Sequence, residues 1–212
     1  MYENFLKFRE ENPLGFEEEE FCKIEKDIQN KRQGIVCDEY VEFTLWLNGL
    51  KFRKDYFSEY IEKWLPGNRY KNLLEVGSGK RAGLAILLSE KGYNVTAMDP
   101  KLEERALKGT KVAGIEKCFI YGQMDLSSYD AVIAQEPCEA TEHIIRECVR
   151  QRKNFVISLC GTPHQLMSGE QLENVFQWHE YLQNIDAEHC LLLQPKLIPG
   201  YRTYVMVGIF EI

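Results

Sequence analysis

Leu73-Leu74-Glu75-Val76-Gly77-Ser78-Gly79 is a short apolar run that ends on glycines. A run of that length, stopped by glycine, predicts a buried strand. Ala82 to Glu90 reads as a helix, so the glycine loop joins a strand to a helix. Glycines at such a junction allow a tight turn and a close approach of backbone to ligand. A second strand, Tyr93 to Met98, stops at Asp99-Pro100, and Asp99 falls 22 residues after Gly77. A carboxylate at that distance can accept hydrogen bonds from both hydroxyls of a ribose. Loop and acid together indicate a ligand that contains a nucleoside.

Glu75 bears on which nucleoside. A dinucleotide sets its pyrophosphate over the loop, against the helix N-terminus. A carboxylate two residues before the first glycine repels a pyrophosphate and attracts an ammonium group. S-adenosylmethionine carries a ribose, an ammonium and no phosphate. The spacing Gly77-x-Gly79-x-x-x-Gly83 also departs from the dinucleotide pattern G-x-G-x-x-G. Lys80 and Arg81 point the other way, since they suit phosphate, so an NAD(P)-binding oxidoreductase stays open as an alternative. A non-catalytic protein that keeps the fold as a ligand sensor or interaction module is a third reading.

Outward from the loop, strands alternate with helices. Further strands are expected at Cys118 to Tyr121, Tyr129 to Ala134 and Asn154 to Leu159. Helices are expected at Glu103 to Leu107, Thr141 to Arg150 and Glu170 to Asn184. Such alternation implies right-handed crossovers and a parallel sheet covered on both faces. The tail breaks the pattern. Cys190 to Gln194 and Tyr204 to Ile212 are strand-like, with Pro195, Pro199 and Gly200 between them and too few residues for a crossover helix. They predict an antiparallel hairpin. The fold class is therefore α/β, a Rossmann-like, doubly wound and mostly parallel sheet closed by an antiparallel C-terminal hairpin strand.

Residues 1–70 read as a helical N-terminal extension and 71–212 as the ligand-binding domain. Phe21, Ile24 and Ile28 share one helix face. Asp38 can cap a second helix carrying Val41, Leu45 and Leu47. Phe57, Ile61 and Trp64 mark a third, stopped by Pro66-Gly67. The acidic run Glu17 to Glu20 reads as a solvated helix start. The extension is expected to act as a lid over the carboxyl ends of the strands.

Leu73 to Gly79, Ala82 to Glu90 and Val95 to Asp99 resemble motif I and the following acidic motif of the class I S-adenosylmethionine-dependent methyltransferases. The resemblance covers roughly residues 70–212 and includes the terminal hairpin, which that family places as its sixth and seventh strands. It implies S-adenosyl-L-methionine as cofactor. Gly77, Ser78 and Gly79 would line the methionine part, and Glu75 would act on the ammonium directly or through water. Asp99 would bind the ribose hydroxyls. Asp125, in Met124-Asp125, would be the acid that reads the adenine amine.

Ligands in such sheets sit outside the carboxyl ends of the strands. The fourth strand delivers Gln135-Glu136-Pro137-Cys138 there, and the fifth delivers Cys160-Gly161-Thr162-Pro163-His164. Gln135-Glu136-Pro137 stands where amino-methylating relatives carry an Asp/Asn-Pro-Pro-aromatic motif, but only one proline matches. Pro137 to Glu142 and Gly161 to Leu166 resemble a methyltransferase group with a Cys-Asp-x-Ala-Thr-Asp stretch and a later Cys-Cys-His, some of whose members act on RNA. Methyl transfer chiefly needs a nucleophile aligned with the sulfonium. Where the acceptor must lose a proton, Glu136 and His164 are the candidate bases. His143, His179 and His189 are read as structural. The acceptor is left open between a small molecule, an RNA and a protein group.

Composition is that of an ordinary globular chain. Of the 212 residues, 44% are hydrophobic and 28% charged, which excludes a disordered chain. Acidic side chains outnumber basic ones 33 to 26, and the net charge of −7 opposes sequence-independent binding of nucleic acid. No apolar run is long enough for a membrane span, and Met1 to Glu20 lacks the pattern of a signal peptide. The seven cysteines are odd in number and show no C-x-x-C spacing. Neither a disulfide framework nor a metal site is expected, and the thiols suggest a reducing cytoplasm.

Overall fold

Strand β1 (Asn72–Val76) pairs in parallel with β2 (Asn94–Met98) on one side and β4 (Ala131–Gln135) on the other. β2 carries β3 (Ala113–Ile115) and β4 carries β5 (Asn154–Leu159), both parallel. β7 (Tyr204–Gly208) then runs antiparallel to β5, and β6 (Cys190–Leu193) antiparallel to β7. The resulting order is β3-β2-β1-β4-β5-β7-β6. This computed structural model describes residues 2–11, 22, 26 and 38–210.

The central strands β1, β4 and β5 are buried on both faces, as parallel strands under crossover helices must be. Their period of two sorts side chains into two layers. Leu73, Val95, Ala97, Ile133, Val156, Val205 and Val207 point to one layer. There they meet Phe57 and Ile61 of α3 (Arg53–Trp64) and Leu84 and Leu88 of α4 (Gly83–Glu90). Leu74, Val132, Ala134, Phe155, Ile157 and Met206 point to the other. They meet Ile144, Ile145 and Cys148 of α6 (Ala140–Gln151) and Trp178 and Leu182 of α7 (Val175–Gln183). The short α5 (Glu104–Leu107) leads into β3. Buried Asn154 ties the ends together: its amide donates to the Tyr70 hydroxyl at 2.9 Å, and its Oδ1 accepts from Phe210 N–H at 2.8 Å.

Packing divides the chain into two compact units, 1–53 and 54–212. In the first, α1 (Tyr2–Glu11) and α2 (Asp38–Leu47) meet through aromatic rings. Phe5 packs edge-on against Phe43 at 5.5 Å, and Phe8 lies 5.4 Å from Trp46. Leu45 is buried as expected, but Leu47 is 40% exposed, because Phe43 and Trp46 form the packing face. Phe21, Ile24, Ile28 and Glu17 to Glu20 lie outside the described residues. The third helix, α3, packs within the second unit through Phe57, Ile61 and Leu65.

Two expected elements are displaced. The third strand is Ala113–Ile115, not Cys118 to Tyr121. The real strand is three residues long, contains Gly114 and lies at the sheet edge, so it has no apolar run to announce it. The apolar run that follows is loop. The long helix expected at Glu170 to Asn184 begins only at Val175, because Asn174 is extended and its side chain accepts from the N–H groups of Phe176 and Gln177. That is an N-cap, and it fixes the helix start. Ile212, the expected end of the hairpin, lies outside the described residues.

Candidate functional site

The strand order reverses direction between β1 and β4, and a crevice opens at their carboxyl ends, where such sheets bind ligands. A cavity of about 480 Å³ lies there. Gly77, Met98 and Asp99 form one wall, Lys117 to Ile120 a second, and Glu136 to Ala140 with His143 the third. A larger concavity of about 800 Å³ lies along α5 and β3 and has no glycine loop on its walls.

The glycine loop is held by the second strand. Gly77 N–H donates to Met98 O at 2.9 Å, and Ser78 N–H reaches the same oxygen at 3.3 Å. Gly77 has φ +72°, and a Cβ there would lie 2.9 Å from Pro137 Cβ and 3.0 Å from Pro137 Cα. Glycine is required at this position by both conformation and space. Gly79 also has φ +67°, but it faces open space. Asp99 closes the loop from β2. Its Oδ2 accepts from Gly79 N–H at 2.9 Å and its Oδ1 from Lys101 N–H at 2.8 Å. Each oxygen keeps a further lone pair, and the carboxylate lies on the cavity wall.

Glu75 lies beneath the loop rather than on the cavity wall. It shares the face of Leu73, so its side chain points toward α4, and it is only 2% exposed. The carboxyl accepts the backbone N–H of Ala85, while Oε2 is buried with no hydrogen-bond partner among the described residues. Burial raises its pKa to about 8; the Ala85 hydrogen bond opposes that rise and the charge of Asp99 adds to it. A buried carboxyl with an orphaned oxygen beside a glycine loop suits a ligand that brings positive charge.

The rim after β4 is strained. Glu136 and Cys138 both adopt positive φ, +52° and +51°, on either side of buried Pro137. Such residues cost about 1–3 kcal/mol each and persist where the surrounding structure over-determines them. Here Glu136 N–H bonds to Ser158 O at 2.9 Å, and the Thr141 hydroxyl bonds to Cys138 O at 2.7 Å. The turn sets Glu136 and Cys138 on the cavity wall.

After β5, Cys160 lies with its sulfur 3.8 Å from that of Cys138. Contact with the Cys138 thiol, followed by burial, pushes the Cys160 thiol well above its usual pKa range. His164 packs beside them, its ring 5.4 Å from Trp178 and edge-on to it. Its Nε2 is buried without a hydrogen-bond partner among the described residues, and its Nδ1 lies 3.8 Å from Glu139 Oε1. Glu136 thus faces the cavity, whereas His164 stands behind Cys138.

Asp125 stands apart from the cavity. It is exposed and spends its carboxylate on the N–H and hydroxyl of Ser127, both at 2.9 Å, which lower its pKa. The loop that bears it is pinned to α6. Glu147 accepts Gly122 N–H, and Gln151 accepts Leu126 N–H at 2.9 Å while donating to Met124 O at 2.6 Å. The wall facing Asp99 is built instead by Lys117, Cys118, Phe119 and Ile120. His143, read from sequence as structural, also lines the cavity, with Nδ1 accepting Tyr121 N–H at 3.2 Å.

No known protein-family profile matches the chain, and no curated protein matches it in sequence. Solved structures do match in fold. Magnesium protoporphyrin IX methyltransferase from Synechocystis PCC 6803, with bound S-adenosylmethionine, superposes with a TM-score of 0.54 at 13% identity, over 98% of this chain and 97% of that one. This is the fold of the class I S-adenosylmethionine-dependent methyltransferases. A TehB-like methyltransferase from Corynebacterium glutamicum gives a TM-score of 0.51 at 15% identity, over 90% and 99% of the two chains. A methyltransferase from Leishmania major gives 0.53 at 15%, over 76% and 74%. At these identities the likeness is one of fold. The methyltransferase fold accounts for the terminal hairpin, which an all-parallel dinucleotide-binding sheet lacks.

Proposed function

We propose that this chain transfers a methyl group from S-adenosylmethionine to an acceptor held against the Glu136–Pro137–Cys138 rim. The observation that carries the reading is the pair of carboxylates about one glycine loop, Glu75 beneath it and Asp99 beside it. Asp99 sets negative charge beside the loop, and Glu75, protonated in the free chain by its burial, ionises when positive charge arrives, so the pair favours an ammonium beside a ribose over a pyrophosphate.

When bound, S-adenosylmethionine supplies a methyl group on a sulfonium, which is already an activated leaving group. The chain's own work is positioning. Asp99 offers its remaining lone pairs to the ribose hydroxyls. Gly77, with no side chain, lets the backbone approach. Glu75 supplies negative charge under the loop once an ammonium beside it has drawn off its proton. Glu136, on the cavity wall, is placed to accept a proton from an acceptor that must lose one. The odd number of cysteines accords with a reducing cytoplasm as the site of action.

A thermal-shift panel with S-adenosylhomocysteine, NAD and NADP tests the reading. A ligand at 100 times its dissociation constant adds about 2.7 kcal/mol of stability. S-adenosylhomocysteine alone should shift the transition. A shift with NAD or NADP and none with S-adenosylhomocysteine would replace methyl transfer by hydride transfer.

A further inference from the structure

We propose that Cys138, Cys160 and His164 form a binding site for one zinc-class divalent cation, with a fourth coordination position left open. Their ligand atoms all lie within 4.8 Å of one another. The sulfur pair matches the requirement closely. Tetrahedral zinc with zinc–sulfur bonds of about 2.3 Å sets its two sulfurs about 3.8 Å apart. The sulfurs of Cys138 and Cys160 are 3.8 Å apart. A disulfide needs about 2.05 Å, so the thiols stand at the spacing of co-ligands.

The third ligand is prepared on both sides of its ring. His164 Nε2 is buried and has no hydrogen-bond partner among the described residues. Nδ1 faces Glu139 Oε1 at 3.8 Å. A ligating imidazole is usually oriented by a carboxylate on its other nitrogen, and closure of this gap would supply one. The supports of the trio are rigid. Cys138 is held in positive φ by the β4 turn, and Cys160 O lies 3.3 Å from Nε2 of buried His179. Beyond His164, Met167 N–H is anchored on Glu142 at 2.8 Å.

Two thiolates and an imidazole select zinc or another thiophilic cation over magnesium or calcium. Binding exchanges two thiol protons, released to solvent, for two metal–sulfur bonds, while the neutral imidazole adds a third bond through its lone pair. The net charge of the assembled centre is zero, which suits a partly buried position. Cys138 also lines the cavity shared by Gly77 and Asp99. The open position therefore belongs to water or to a heteroatom of a molecule in that cavity, whose proton a cation makes easier to lose. The site stands independently of the methyl-transfer reading.

The full-length chain, stripped with a chelator and kept reduced by a non-coordinating phosphine, is titrated with Co²⁺ and then competed with Zn²⁺. One equivalent should give a sulfur-to-cobalt charge-transfer band that Zn²⁺ abolishes. Cys138→Ser and His164→Asn should each weaken binding by roughly a hundredfold or more, beyond the loss typical of outer-shell changes. Cys160→Ser should do the same if it folds, and His164→Asn decides the matter if it does not, since that ring is partly exposed. Cys22→Ser, which alters an exposed thiol off the cavity wall, should leave the titration unchanged. No band at one equivalent in the wild type overturns the proposal. So does a band that survives both Cys138→Ser and His164→Asn, or one that disappears in Cys22→Ser. S-adenosylhomocysteine affinity measured on the metal-free wild type, beside the titration, keeps the two readings separate.

Discussion

The carboxyl of Glu75 on β1 accepts the backbone N–H of Ala85 in the first turn of α4. The residue at the head of that helix, Ala82, sits at φ +47° and has no side chain with which to cap it. The motif acid thus does the work of a cap from the neighbouring strand, satisfying an N–H that the helix leaves open. Burial raises its pKa from 4.5 to about 8. Between those values the folded chain holds a proton that the unfolded chain has released. The stability from this group is complete below about pH 4.5 and is lost as pH rises through about 8. Glu75→Gln keeps the acceptor oxygen and removes the titration. Denaturant unfolding of the cofactor-free chain should show the wild type losing stability across that interval relative to the variant. Parallel profiles would place the titration elsewhere.

Gly77 and Gly79 share positive φ but not surroundings. Alanine at either position meets the left-handed cost of about 1–2 kcal/mol. At Gly77 it also meets the backbone of Pro137, and displacing a packed neighbour costs about 1–3 kcal/mol more. Gly77→Ala should therefore be clearly less stable than Gly79→Ala in equilibrium unfolding. Equal losses would mean that the Pro137 turn yields freely.

Asp99 serves the loop and the ligand together. Asp99→Ala frees Gly79 N–H and Lys101 N–H, and it removes the acceptor for the ribose hydroxyls. Hydrogen bonds to a charged group contribute about 1.5–3 kcal/mol each. Affinity for S-adenosylhomocysteine, measured by calorimetry, should fall at least about tenfold. An undiminished affinity would put the ribose elsewhere in the cavity.

The sheet was readable because its central strands are apolar runs bounded by glycine, proline or acid. Asn154–Leu159 matches its expected range throughout, and β1, β2 and β4 differ only at their ends. β3 was not readable: Ala113 and Gly114 are exposed, and so short an edge strand leaves no pattern. Cys118 to Tyr121 misled for the opposite reason. Phe119 alone is buried, while Cys118, Ile120 and Tyr121 are exposed, so the apolar run belongs to a loop beside a cavity and not to a strand. The loop of the site showed in sequence through its glycines and Asp99. Cys138, Cys160 and His164 showed in sequence as residues of one rim but not as one cluster, because the cysteines are 22 residues apart and the parallel pairing of β4 with β5 is what sets their sulfurs side by side.

The final prediction concerns the proton on Glu75. With its pKa near 8, the buried carboxyl is largely neutral at neutral pH in the cofactor-free chain. An ammonium brought to the glycine loop stabilises the carboxylate and draws its pKa down. Binding of S-adenosylhomocysteine should therefore expel up to one proton per chain, and affinity should rise with pH toward the free-state pKa of Glu75. Calorimetry in buffers of differing ionisation enthalpy reads the released proton as a slope in the apparent binding enthalpy. The wild type should show that slope, and Glu75→Gln, which has no proton to give, should lose it while binding more weakly. An identical slope in the variant would assign the proton to another group, such as the ligand's own amine. Absence of any slope in the wild type would mean that the ammonium does not reach the field of Glu75.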